Sequence, residues 1–197
     1  TSDLSYEYAP LELPHQKIIV TNSQKARLAV DERYQERQAQ CQEALHDLQT
    51  VIAIQNLSEL TADVFEQVQE MIRRPVCLRR ARHAVTENQR TIQAVDALNK
   101  GDIREFGQLM NASHLSLKED FEVSCEELDI LVEEAWEIEG VLGSRMMGAG
   151  FGGCTISIVE NDAVNEFVSR VGSHYKERTG RTAEFYIMET GNGASEV

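Results

Sequence analysis

Basic residues are scarce in this 197-residue chain: Lys and Arg number 19 against 33 Asp and Glu, a formal charge of −14. The shortage argues against a nucleic-acid ligand, because affinity for a phosphate backbone rests on clustered cations that release counterions. An acidic surface mainly keeps a protein in solution. Cysteines are few and scattered. Cys41, Cys77, Cys125 and Cys154 form no C-x-x-C pair and have no His at ligand spacing, so they read as reduced thiols of a cytoplasmic protein, not as a disulfide framework or metal site. No apolar run approaches the roughly 20 residues of a membrane span. The opening "TSDLSYEYAPLELPHQ" has no basic segment followed by an apolar one, and so does not read as an export signal. It also lacks an initiator Met and reads like the middle of a longer chain. Internal repeats and low-complexity tracts are absent.

What is present suffices for a core, since 42% of the residues are hydrophobic. "KIIVTNS" (17–23) is a β-branched run ending in turn formers, and predicts a buried strand. From Asp31, placed to cap a first turn, the spacing becomes helical, with Tyr34, Cys41, Leu45, Leu48 and Ile52 on one stripe. "LTADVFEQVQEMI" predicts a shorter helix. Pro75 starts another, with Leu78, Ala81, Val85, Ile92 and Val95 in phase up to Gly101. "DIREFGQLMNASHLSLKEDF" continues helically, and "SCEE" (124–127) matches a capping box opening a helix through Glu139. After Gly140, "VLGSRMM" and "CTISIVE" predict two strands, "NDAVNEFVSRVGSHYKERTG" a helix ending at Gly180, and "TAEFYIMET" a last strand. The expected fold class is α+β, a split ferredoxin-like β-sheet packed against a layer of helices.

"MMGAGFGGC" (146–154) joins two of these strands. Gly148, Gly150 and Gly153 satisfy G-x-G-x-x-G, yet a dinucleotide loop must lead from a strand into a helix, and here a strand follows. No G-K-[ST] follows either, which excludes a Walker loop. One reading is a hairpin whose glycines supply positive φ. The other notes that four glycines in six residues leave the backbone bare where a ligand or another loop approaches closely.

"GSRMMGAGFGGCTISIV" closely resembles the third motif of the galactokinases, within the GHMP small-molecule kinase superfamily. "TNSQKARLAVDERYQERQAQCQEAL", "RARHAVTENQRT" and "MNASHLSLKEDFEVSCEELDILVEEA" resemble further stretches of the same family, so the likeness runs over nearly all of residues 3–190. It implies the C-terminal half of such an enzyme: residues 1–16 as a connecting segment from a missing N-terminal domain, and 17–197 as the C-terminal, substrate-side domain. The family's G-R-V-N-x-I-G-E-H-x-D motif, its G-L-S-S-S-type phosphate loop and its catalytic aspartate do not occur here. The resemblance implies transfer of the ATP γ-phosphoryl group to the 1-hydroxyl of α-D-galactose, with ATP and Mg2+ bound mainly by the missing half and no catalytic residue or metal ligand in this chain. An N-acetylgalactosamine 1-kinase and a non-catalytic galactose or ATP sensor remain as alternatives.

By the same resemblance, Tyr34 matches a tyrosine that contacts the sugar and Arg27 a basic position near the active site. Gly148, Gly150, Phe151, Gly152 and Gly153 match the glycine-rich lining of that site. Read from residues alone, Tyr34 is equally the first core residue of its stripe and Arg27 a solvated loop arginine. Arg73, Arg74, Arg79, Arg80, Arg82 and His83 form the one basic cluster, either an anion site or a helix face laced with ion pairs. His114 is a lone helical histidine, to which no role is assigned. The loop is expected to turn its bare backbone toward the missing half, so that valine at Gly150 or Gly152 would slow turnover and leave the fold intact.

Overall fold

A computed structural model describes residues 7–26 and 30–191. The chain runs β1 (Gln16–Asn22), α1 (Val30–Leu48), α2 (Ala62–Val68), α3 (Pro75–Asn99), α4 (Ile103–Glu119), α5 (Glu126–Trp136), β2 (Val141–Met146), β3 (Cys154–Glu160), α6 (Val164–Thr179) and β4 (Glu184–Met188). Local chemistry sets most of these ends. The Thr61 side chain accepts from Val64 N–H to cap α2, Pro75 opens α3 where a missing N–H costs nothing, and Asp102 accepts from Glu105 N–H to cap α4. Gly180, at φ 71°, closes α6 in the left-handed region that favours glycine.

The four strands form one antiparallel sheet in the order β2-β3-β1-β4. Strand alternation separates its faces. On one, Ile19 and Val159 pack with Ile130 and Leu131 of α5 and Phe167, Val171 and Tyr175 of α6. On the other, Ile156 and Ile158 meet Phe106 and Met110 of α4. Helices thus flank both faces, more than the single layer expected. A further core joins α1 to α3, through Ala44, Leu48, Cys77, Ala81 and Val85.

β2 is an edge strand, and α4 runs along it. A Cβ on Gly107 would lie 2.2 Å from the Leu142 carbonyl oxygen, and one on Gly143 would lie 2.3 Å from that of Gly107, so both glycines permit the contact. One and two turns further along α4, Asn111 Oδ1 accepts from Ser144 N–H (2.8 Å) and His114 Nδ1 from Met146 N–H (3.2 Å). The outward N–H groups of the edge are thereby satisfied by side chains instead of a further strand.

Five local expectations need correction. α1 stops at Leu48, so Ile52 is off its stripe, and Asp31 lies within the first turn, where it faces the helix dipole. Ile92 is 64% exposed because it lies on the outward face of α3, while Thr91 and Ala94 beside it turn toward α4 and Ala97 further along is fully buried. Cys125, not Ser124, is the N-cap residue of α5, and the Ser124 hydroxyl donates to Asp129 instead. That helix ends at Trp136, short of Glu139, and Gly140 at φ 92° turns the chain into β2.

Candidate active site around the glycine loop

Met147–Gly153 bridges β2 and β3, and Met147 N–H donates to the Cys154 carbonyl (3.0 Å) to close the hairpin. Gly148, Gly150, Gly152 and Gly153 have φ of 73°, 82°, 118° and 92°, which accounts for the glycine density conformationally. Phe151 is also left-handed, at φ 54°, an uncommon state for an aromatic residue. Its ring is buried with Leu117, Val123, Leu128 and Met146, and the Arg33 guanidinium lies 4.9 Å from the ring centroid. Burial and the 2.6 Å bond from Phe151 N–H to the Val123 carbonyl hold the strained backbone in place.

The bare backbone faces inward at two positions. A Cβ on Gly150 would stand 2.0 Å from the Val123 carbonyl oxygen, and one on Gly152 would stand 2.8 Å from Lys25 Cγ and 3.0 Å from its carbonyl oxygen. Lys25 is held in turn by an ion pair with Glu127 (2.7 Å), and the Tyr175 hydroxyl donates to the Ser23 carbonyl (2.6 Å) just before it. The expectation that valine at Gly150 or Gly152 would spare the fold is therefore corrected: these glycines admit this chain's own backbone.

Tyr34, in the first turns of α1, is 41% exposed and so is no core residue. It lines a recess of about 390 Å³ with Asp31, Gln35, Gln38 and Ala149, the last from the glycine loop. Two segments more than a hundred residues apart are thus brought to one place. The recess offers a phenol, two amides and a carboxylate, a donor and acceptor set suited to a polyhydroxylated ligand. Across the loop, Met147 and Gly148 line a separate cavity of about 400 Å³ with Ile18, Phe106, Met110 and Ile156, whose walls are mainly apolar. On chemistry, the Tyr34 recess is the better candidate for a polar ligand. Arg27 lies outside the described residues.

The basic cluster divides in two. Arg73, Arg74, Arg79 and Arg82 pair with Asp47, Glu43, Glu122 and Asp120, as an ion-paired helix face should. Arg80 differs, being 1% exposed and fully engaged by Gln40, the Asp120 carbonyl and Glu122. His83 stacks on Phe121 (centroids 4.5 Å apart), its Nδ1 2.9 Å from Ser116 Oγ. His114 binds β2 and lies 3.4 Å from Asp129, a structural assignment. Sequence reasoning missed Arg37, whose only signal was its place one turn after Tyr34.

Two measurements follow from this geometry. Gly150→Ala should destabilise the protein by about 2 kcal/mol or more, from overpacking and left-handed strain together. Gly101→Ala, with φ 69° and nothing within 4 Å of its Cβ, should cost only about 1 kcal/mol. Thermal unfolding resolves the two at roughly 2–4 °C per kcal/mol, and equal losses would refute the close approach. Burial pushes the His83 imidazole down to about 4, partly offset by Glu87. An unfolded histidine titrates near 6.5, so between these values the folded state binds fewer protons, and stability present above pH 6.5 drains away as pH falls toward 4. The loss is on the order of 3 kcal/mol. Denaturant unfolding across that window should show it, and His83→Gln should flatten the slope.

Comparison with known proteins bears on the family and the fold. The family described as GHMP kinases C terminal matches residues 94–177. The galactokinase of Levilactobacillus brevis is 50% identical over 197 residues, all of this chain and 51% of that protein. That of Fusobacterium nucleatum is 52% identical over 195 residues, 98% of this chain and 50% of that protein. The crystal structure of Lactococcus lactis galactokinase complexed with galactose matches with a TM-score of 0.92 at 44% identity, covering 98% of this chain and 50% of that one. The chain therefore spans about half the length of these relatives. By sequence and by fold, it belongs to the GHMP kinases, as a C-terminal domain of the galactokinase type.

Proposed function

We propose that the full-length protein containing this chain is a galactokinase, transferring the γ-phosphoryl group of ATP to the 1-hydroxyl of α-D-galactose to give galactose 1-phosphate and ADP. The observation that carries this reading is the recess shared by Tyr34 and the glycine loop, in a fold that matches a galactose-bound galactokinase at a TM-score of 0.92. The relatives are galactokinases, which favours neither the N-acetylgalactosamine kinase nor the sensor.

In this proposal the chain supplies the sugar side of a cleft. Tyr34 gives a flat wall and a hydroxyl that hydrogen-bonds a sugar hydroxyl. The Gly148–Gly153 loop, fixed by its bonds to Val123 and Ser23, forms a rigid floor that orients the acceptor. Arg27 pairs with phosphate or with an aspartate of the other half. Residues 1–16 connect to that half, and 17–197 form the domain. Mg2+ and the ATP phosphates are assigned mainly to the N-terminal half, since Mg2+ in phosphoryl-transfer sites is held largely by the nucleotide's own phosphates and one or two carboxylates beside them. No helix among the described residues is long and apolar enough to cross a membrane, in keeping with a cytoplasmic enzyme.

The full-length protein, given ATP and galactose, should form galactose 1-phosphate, whereas residues 1–197 alone should show neither turnover nor calorimetric ATP binding. A folded full-length protein without product would overturn the proposal. Tyr34→Phe should raise the galactose KM about fivefold and spare the ATP KM, as the loss of one hydrogen bond of about 1 kcal/mol requires. An unchanged galactose KM would remove Tyr34 from the sugar site.

A further inference from the structure

Between α4 and α5 the chain makes a turn at Asp120–Val123 with Glu122 left-handed at φ 54°. Two arginines grip the first three carbonyls of this turn. Arg80 Nη1 donates to the Asp120 carbonyl. Arg37 Nε donates to that of Phe121 (2.7 Å), and its Nη2 to that of Glu122 (3.2 Å). The fourth carbonyl, of Val123, accepts from Phe151 N–H in the glycine loop at 2.6 Å. The ring of Phe121 meets Tyr34 edge to face, with centroids 6.1 Å apart. The turn therefore touches both parts of the candidate sugar site, and neither arginine lines the recess itself.

We infer that Arg37 and Arg80 are positioning residues, which set Tyr34 and the glycine loop against each other by fixing the carbonyls of the Asp120–Val123 turn. The planar guanidinium suits this role, because one Arg37 side chain spans two successive carbonyls from fixed directions, and an ammonium cannot reproduce that fork. Left ungripped, a turn with a left-handed glutamate would relax, moving the Val123 carbonyl from Phe151 N–H and the Phe121 ring from Tyr34. Arg80 is 1% exposed and Arg37 9%, so a change at Arg80 threatens folding more, and Arg37 also reaches Glu36 at the surface (3.0 Å). Arg37→Lys is for that reason the primary variant.

The catalytic readout rests on the galactokinase proposal; the second readout does not. In the full-length protein, Arg37→Lys should raise the galactose KM about fivefold with the ATP KM unchanged. In a Tyr34→Phe background the same change should add clearly less, since the two act through one contact. Amide exchange at Phe151 should quicken in Arg37→Lys, while the sheet amides of β1 keep their protection. An Arg37→Lys protein that loses thermal stability but keeps both the galactose KM and Phe151 exchange would overturn the inference, leaving Arg37 a stabilising residue only. If wild-type protein makes no galactose 1-phosphate, the functional proposal falls and Phe151 exchange decides alone: unchanged exchange refutes positioning, quickened exchange upholds it. Arg80→Lys, where it folds, should quicken the same amide, and an unaltered rate would remove Arg80 from the grip.

Discussion

Phe151 N–H to the Val123 carbonyl, at 2.6 Å, is the bond on which the candidate site depends. It joins the turn after α4 to the loop between β2 and β3, and it brings the carbonyl so close that residue 150 has no room for a Cβ. It also requires Phe151 to be left-handed, a conformation an aromatic residue keeps only when its surroundings over-determine it. Here the ring is buried among Leu117, Val123, Leu128 and Met146. Backbone strain, a glycine and a small apolar cluster are therefore one arrangement, and Ala149 reaches the recess because its neighbours are held this way.

That arrangement is delivered by α4. Gly107, Asn111 and His114 recur at helical spacing along one face, and they meet Gly143, Ser144 and Met146 in order along β2. Glycine within a helix costs about 1 kcal/mol relative to alanine. Gly107 is tolerated because it lets the helix axis approach the strand, which brings Asn111 and His114 within hydrogen-bonding reach of the edge. Once the helix is docked in register, its C-terminus must emerge beside the end of β2, where the loop begins. The position of the Asp120–Val123 turn is thus a consequence of edge protection.

Most of this fold was legible in the sequence because its elements carry local signals: β-branched runs for β1 and β3, Asp102 and Pro75 at helix starts, Gly180 at a helix end. The expectations that failed turned on which of two local signals wins. "SCEE" carries a capping box, but Ser124 found Asp129 across the turn, and the cap passed to Cys125. Ile92 is in phase with its stripe, but periodicity cannot say which face of α3 its neighbours cover at that point. Glycine density in "GAGFGG" announced close approach, and what approaches at Gly150 and Gly152 was not readable, because Val123 and Lys25 are distant in sequence. Tyr34 was open to two readings on spacing alone, and its exposure beside Ala149 removes the core alternative.

The arginines show why charge counting misleads in so acidic a chain. With 33 carboxylates for 19 cations, ion-pair partners are plentiful, and exposed arginines such as Arg74 and Arg79 take them. Such pairs contribute little, because water screens both charges. Among the described residues Arg37 and Arg80 are the two buried arginines, and both bond backbone carbonyls of the Asp120–Val123 turn. A carbonyl in a turn has no strand or helix neighbour to satisfy it, and burying it unpaired is costly. A guanidinium offers five donors and no acceptor, so it can serve several such oxygens at once. Burial decides which arginines are surface charge and which are part of the backbone's hydrogen-bond network, and the turn those two hold is the one that Tyr34 and the glycine loop share.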